Sequence, residues 1–409
     1  MKGLPAMVLL LALTGGARLA TAQNLTGELA PLNFRAPEFP VAETPFPSPE
    51  SPEAPGPPRP GGQPGTSPAQ PAASLGSAPA LVWINSRPLT MSALRGKVVL
   101  VDFWEYTCIN CIRTFAENKR WYARYHKYGF EIIGVHDPEF DIAYSPEHVR
   151  AAVKRFGLPY PVVVDTGFQL WRSYHNSTWP NRFLIDAKGY ARYNRPGEGA
   201  DSAIEKAIQA LLVQAHPELK FSESYTIPPE QDAFAPTCGV PTPEMYVGHW
   251  HDRGILANSE GYRDHKTLDY TLPASVDDGH AAVSGRWETD MNGMIYRGKA
   301  RQGANSGDRL EMRYHARELY AVMNAAHTPA SRLYIRQDGK DLTPEDKGVD
   351  VQMDSEGHSY IEVREPRMYY LVQNRSFGSH EVDLIPTRSG TTVNSFTFGN
   401  NCQTDFPHL

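Results

Sequence analysis

Residues 98–111 constrain the fold more than any other stretch of the chain. Val98-Val99-Leu100-Val101-Asp102-Phe103 is an apolar run of strand length, the pattern of a strand buried on both faces. It ends near Trp104 and runs through Glu105-Tyr106-Thr107 into Cys108-Ile109-Asn110-Cys111, after which Thr114 to Tyr128 reads as a helix. A Cys-x-x-Cys at this junction sits at the start of a helix. Unpaired backbone N–H groups and the helix dipole favour a thiolate there. Cys108 is therefore expected to be the exposed nucleophile with a lowered pKa. Cys111, one turn inward, is expected to be the resolving thiol that frees Cys108 from a mixed disulfide.

The same spacing also serves zinc sites and static disulfides. A zinc site needs two more Cys or His ligands. Cys238 and Cys402 are the only other cysteines and lie far along the chain, and His126 and His136 form no compact second pair. The redox reading is preferred, and neither metal nor cofactor is expected. The formal net charge of −6 removes the basic surface that a nucleic-acid partner needs.

The remaining sequence divides by texture. Residues 1–22 read as an export signal: Lys2, an apolar core from Ala6 to Leu13, then Ala20-Thr21-Ala22, with cleavage expected before Gln23. Residues 23–80 read as a tether, because Ala36 to Ala80 holds 14 of the 35 prolines and has no apolar periodicity. Residues 81–216 alternate strand and helix patterns, the mark of an α/β sheet covered by helices. Ser145-Pro146 opens one helix and Gly157 closes it; Lys188-Gly189 marks a hairpin; 202–214 carries an apolar face. A linker over 217–235 leads to residues 236–409, where short strands separated by Gly, Asp, Asn and Ser indicate an antiparallel sandwich or jelly roll. No run of 18 apolar residues occurs.

Val101-Asp102-Phe103-Trp104 before Cys-x-x-Cys resembles thioredoxins, and Leu94-Arg95-Gly96-Lys97-Val98 resembles the TlpA-like redoxins of extracytoplasmic compartments. Tyr106 to Cys111, Gly134-Val135-His136, Pro138-Glu139-Phe140, Trp179-Pro180, Arg313 to Arg317 and Phe396 to Gly399 are together similar to the C-terminal soluble part of DipZ-type thiol:disulfide interchange proteins. The resemblance implies a thioredoxin-like α/β fold followed by a carbohydrate-module-like β-sandwich. It implies that Pro180 is a cis-proline facing the cysteines, that Asp102 is a buried acid exchanging protons with Cys111, and that Trp104 packs beside the site. Trp179 precedes that proline, and Ile109-Asn110 replaces the usual Gly-Pro between the cysteines. Many TlpA-like reductases carry an acid three residues after the second cysteine. Thr114 stands there, with Glu105 and Glu139 as candidate substitutes. Peroxiredoxins share the fold, but their signature needs Pro and Thr where this chain has Val101 and Glu105.

Cys238 and Cys402 bracket the second domain and are expected to form a structural disulfide, with two free thiols as the rival reading. Tyr246, Trp250, Tyr262, Trp287, Tyr296, Tyr314, Tyr320, Tyr369 and Tyr370 either fill a core or stack against a carbohydrate. His249-x-His251 is a weak metal pattern. The sum is an exported thiol–disulfide oxidoreductase acting on disulfides of envelope proteins and fed by a separate membrane electron donor. A disulfide-forming oxidase and a carbohydrate- or partner-binding adaptor are the rival expectations.

Overall fold

The alternation of β3 divides one core into two layers. The computed structural model describes residues 30–40, 79–221, 239–249, 255–300, 303, 307–325 and 330–400. Cys238, Cys402, Trp250, His251, the expected signal and residues 41–78 lie outside them. β1 (Ala30–Arg35), β2 (Val82–Ile84), β3 (Val98–Trp104), β4 (Phe130–His136), β5 (Val162–Val164), β6 (Asn181–Ile185) and β7 (Tyr190–Pro196) form one sheet in the order β1-β7-β6-β3-β4-β5-β2. β3, β4 and β5 are parallel, and β6 runs antiparallel to β3. All seven residues of β3 are buried. Val98, Leu100 and Trp104 face a layer built with α1 (Ile109–Tyr125), α2 (Pro146–Phe156) and α4 (Asp201–Ala215). Val99, Val101 and Phe103 face the opposite layer with α3 (Gln169–Ser173). The same period of two puts Asp102 on the α1 side.

α2 follows its sequence signals: Ser145 caps the helix by accepting from His148 N, Pro146 is the first helical residue, and Gly157 closes it at φ 59°. α1 starts at Ile109, earlier than the pattern from Thr114 indicates, so Cys108 itself is the N-cap.

The tether expected over 23–80 needs correction at its start. β1 pairs with β7 at the sheet edge, and Ala36 and Phe39 enter the core, Phe39 edge-on to Trp83. Glu38 accepts from the N–H groups of Met91 and Ser92. Leu32 and Phe34 pack on the same layer. Averaging over a proline-rich region hid this short alternation, and Pro31 is tolerated because the strand is at an edge. At the other end, Leu219 and Phe221 still pack on the core, inside the expected linker.

The second domain contains β8 (Met245–Tyr246), β9 (Thr267–Tyr270), β10 (Ala281–Thr289), β11 (Met294–Tyr296), β12 (Arg309–Asn324), β13 (Ser331–Gln337), β14 (Lys340–Asp341), β15 (Gln352–Met353), β16 (Ser359–Val363), β17 (Arg367–Pro386) and β18 (Thr392–Gly399). Every ladder between these strands is antiparallel. β12 pairs with β10 near its start and with β18 near its end, and β11 joins β10 to β18. The strands thereby close around a core holding Trp287, Tyr296 and Tyr314.

The two domains share a packed boundary. Tyr320 and Tyr370 stack at 4.5 Å and are buried against the α1 layer. Arg113 of α1 lies over the Tyr320 ring, 3.3 Å from Glu198 and 3.5 Å from Glu318. Glu318 also accepts from the hydroxyls of Tyr320 and Tyr370. A Cβ at Gly399 would lie 3.0 Å from Arg113 Nη2 and strike the Glu318 side chain, so a glycine is needed there.

Phe39 is 1 % exposed. Phe39→Ala is expected to cost about 3 kcal/mol of stability, measured by urea denaturation of the full chain. A residue in a free tether would show no change.

Candidate active site

β3 delivers the cysteines to the boundary between the domains. Cys108 follows the turn after Trp104, and Cys111 N–H donates to Cys108 Sγ at 3.3 Å. The two sulfurs lie 2.6 Å apart, and both cysteines are free. Cys111 is fully buried and Cys108 half-buried. Glu105 holds the turn: its Oε2 accepts from Thr107 N–H at 2.6 Å and from the Thr107 hydroxyl, and its Oε1 is 3.7 Å from His136 Nε2. His136 stacks on Tyr106 and meets Trp104 edge-on. Ile109 is buried, and Asn110 Oδ1 accepts from Arg113 at 3.3 Å, linking the intervening dipeptide to the domain boundary. Thr114 donates to Cys111 O at 2.8 Å.

The helix N-terminus is present, but the expected lowering of the Cys108 pKa does not follow. Its thiol is pushed up, chiefly by burial and then by the negative charges of Glu139 and Glu244. The hydrogen bonds from Cys111 oppose this without reversing it. Cys111 is raised further, by burial, by its contact with Cys108 and by the charge of Asp102. The direction of the shift is opposite to the expected lowering, while Cys108 remains partly exposed.

Asp102 is fully buried and accepts from Asn118 Nδ2 at 2.7 Å. Burial raises its pKa from 3.8 to about 7, against the pull of Arg182 and Asn118. Its neighbour across the β3–β4 ladder is Gly134, where a Cβ would strike Trp104 Nε1 at 2.9 Å; glycine leaves the indole its place. Trp179-Pro180 is a cis peptide. Phe103 pairs with Asn181, so Pro180 lies one step further along, beside Trp104 where β3 gives way to the cysteine turn. Trp179 packs on Trp171 at 4.4 Å.

Three participants had escaped sequence reasoning. Arg182 is buried, bonds Asp201 and Gly199 O at 2.7 Å each, and acts on Asp102. Its signal was a charged residue inside an apolar strand. Glu244 and Tyr246 come from the second domain, and Tyr246 donates to Glu139 Oε1 at 2.5 Å. They carried no local signal, because only domain packing brings them here. Of the two candidate substitutes for the acid missing at Thr114, Glu139 acts on Cys108, whereas Glu105 is engaged in the turn. The aromatics Trp287, Tyr296, Tyr314 and Tyr369 are core residues, and among the described residues no exposed large apolar side chain is aromatic.

A central buried strand ending in a helix-capping Cys-x-x-Cys, with a buried acid and a cis-proline beside it, is a thioredoxin-like arrangement. Residues 78–194 match the family model of the AhpC/TSA family, and residues 242–399 match that of the thioredoxin like C-terminal domain. The chain is 31% identical over 334 residues to Protein DipZ of Mycobacterium tuberculosis, covering 80% of this chain and 43% of DipZ. It therefore spans less than half the length of that relative. Thiol-disulfide oxidoreductase ResA of Bacillus cereus is 27% identical over 128 residues, covering 31% of this chain and 71% of ResA. A solved thiol-disulfide isomerase from Corynebacterium glutamicum is 25% identical, covers 32% of this chain and 90% of its own, and has a TM-score of 0.30.

Because the folded pKa of Asp102 exceeds its unfolded value, the folded state binds the extra proton between about pH 4 and about pH 7. Its stabilising effect is complete below that window and fades as pH rises through it. Relative to Asp102→Asn, the native chain should lose up to about 1.4 kcal/mol per pH unit over this range, read from urea unfolding at pH 5 and pH 7.5.

Proposed function

We propose that the chain reduces disulfides of extracytoplasmic proteins through Cys108 and Cys111. The observation that carries this reading is a fully buried Asp102 with a pKa near 7, acting on an equally buried Cys111. Such a carboxylate accepts a proton near neutral pH, which the resolving thiol must lose before it attacks. The reaction opens when Cys108, as thiolate, attacks one client sulfur. A mixed disulfide forms and the second client sulfur leaves as a thiolate that takes up a proton. Cys111 then passes its proton to Asp102 and attacks Cys108 Sγ, expelling the first client sulfur. Two electrons move to the client, and the Cys108–Cys111 disulfide must be reduced by a dithiol donor, here assigned to a membrane partner.

The thiol environment supports the reducing direction. Strongly oxidising pairs owe their potency to a stabilised reduced form. Burial and the nearby carboxylates instead disfavour the Cys108 thiolate, which favours giving electrons away. Pro180, beside the turn, is assigned to pairing with an extended client segment. The export reading supports an extracytoplasmic setting, and no described helix is long and apolar enough to cross a membrane.

Cys111→Ala should accumulate a client mixed disulfide at Cys108, detected by non-reducing electrophoresis and mass mapping. Cys108→Ser should form none. Failure to trap a client, together with no reduction of a model disulfide by the unmodified chain, would reject the proposal.

A further inference from the structure

Glu139 lies on the loop after β4, Glu244 directly precedes β8 of the second domain, and Tyr246 belongs to β8. The Tyr246 hydroxyl donates to Glu139 Oε1 at 2.5 Å and also lies 3.0 Å from Glu244 Oε2. Thr397 of β18 donates to the other Glu244 oxygen at 2.9 Å, fixing its direction. The Tyr246 ring packs near Phe140, with centroids 6.0 Å apart. One face of the redox site is therefore built by the second domain.

A phenol has one proton. It fills both carboxyl contacts only when one carboxyl is protonated and donates to the phenol oxygen. Two carboxylates this close to one hydroxyl resist ionising together. Glu139 is the member held on the protonated side, by burial first and then by Glu244 and Glu105. The bridge then carries one negative charge, shared between the two carboxyls.

We propose that Glu244 and Tyr246 complete the redox site, joining Glu139 in a carboxyl–phenol–carboxyl bridge whose charge restrains Cys108 from becoming a nucleophile. Glu244 is a positioning residue for the cysteine chemistry, contributed by a domain with no cysteine in the pair. The groups facing Cys108 are Cys111 from α1, Glu139 from the first domain and Glu244 from the second; Asp102 acts through Cys111, and Glu105 acts through Glu139. The role rests on the oxidoreductase reading above, since it concerns the same nucleophile.

The test follows alkylation of Cys108 by iodoacetamide against pH in the full chain carrying Cys111→Ala, read by mass mapping of the Cys108 peptide. Glu139→Gln leaves Glu244 as the one carboxyl of the bridge. Adding Glu244→Gln should then speed alkylation about threefold to tenfold at pH 7, with the two profiles converging at high pH. Replacing the second change by Glu244→Asp, which keeps the charge, should retain the slow rate. Superimposable profiles with and without Glu244 overturn the proposal. A double variant that reacts faster at every pH also overturns it, because a loosened boundary rather than charge would then control the thiol. Alkylation requires no client or electron donor, so its outcome is independent of whether a client is trapped.

Discussion

Arg113 ties the chemistry of the cysteines to the packing of the two domains. It stands two residues after Cys111, bonds Asn110 between the cysteines and Glu198 of its own domain, and reaches Glu318 across the boundary. A guanidinium with five donors suits this divided set of acceptors. The partly buried pairs are costly to desolvate, and removing one member would leave charges unpaired at the boundary. The stacked tyrosines Tyr320 and Tyr370 add apolar area to the same contact. Once this surface is seated, β8 falls beside the loop after β4, and Glu244 and Tyr246 meet Glu139. The second domain is therefore part of the environment in which Cys108 ionises.

That environment is consistent in sign. Asp102, Glu139, Cys108 and Cys111 are all pushed toward their protonated forms, with burial the leading cause in each case. The helix N-terminus at Cys108 works in the opposite direction and does not prevail. The proposed reducing role would benefit from this balance. The dithiol stays protonated and unreactive until a partner disulfide arrives, and the carboxylate under Cys111 supplies a proton acceptor for the second step. The same low-dielectric setting that raises the thiols makes each neighbouring charge count for more than it would in water.

Much of this was legible in the sequence wherever one local pattern decided the outcome. The apolar run 98–103, the Ser145-Pro146 start and the Gly157 stop each correspond to what the chain does there. Reading failed where local and long-range demands diverged. β17 runs unbroken over Arg367–Pro386, although its polar, glycine-containing middle reads as a gap between two strands; its continuous partner is β12. Gly285 interrupts the strand pattern of β10, yet that glycine has φ 87° and a Cβ there would strike Asp308. β1 was lost in the composition of its neighbours. Among site residues, Cys108, Cys111 and Asp102 sit on one continuous strand–turn–helix segment. Glu244 and Tyr246 reach the site only through folding of a second domain, which no spacing rule encodes.

The split of the site across two domains bears on how a client is chosen. A thiol at the tip of an isolated helix is open on most sides, so reactivity and access vary together. Here Cys108 is half-buried at a boundary, with Glu139 and Glu244 beside it. A client segment that brings positive charge to the Tyr246 bridge would neutralise the group that restrains Cys108, raising the thiolate fraction as it docks. A segment bringing negative charge would suppress it further. On the proposed reading, the same carboxylates would couple reactivity and recognition.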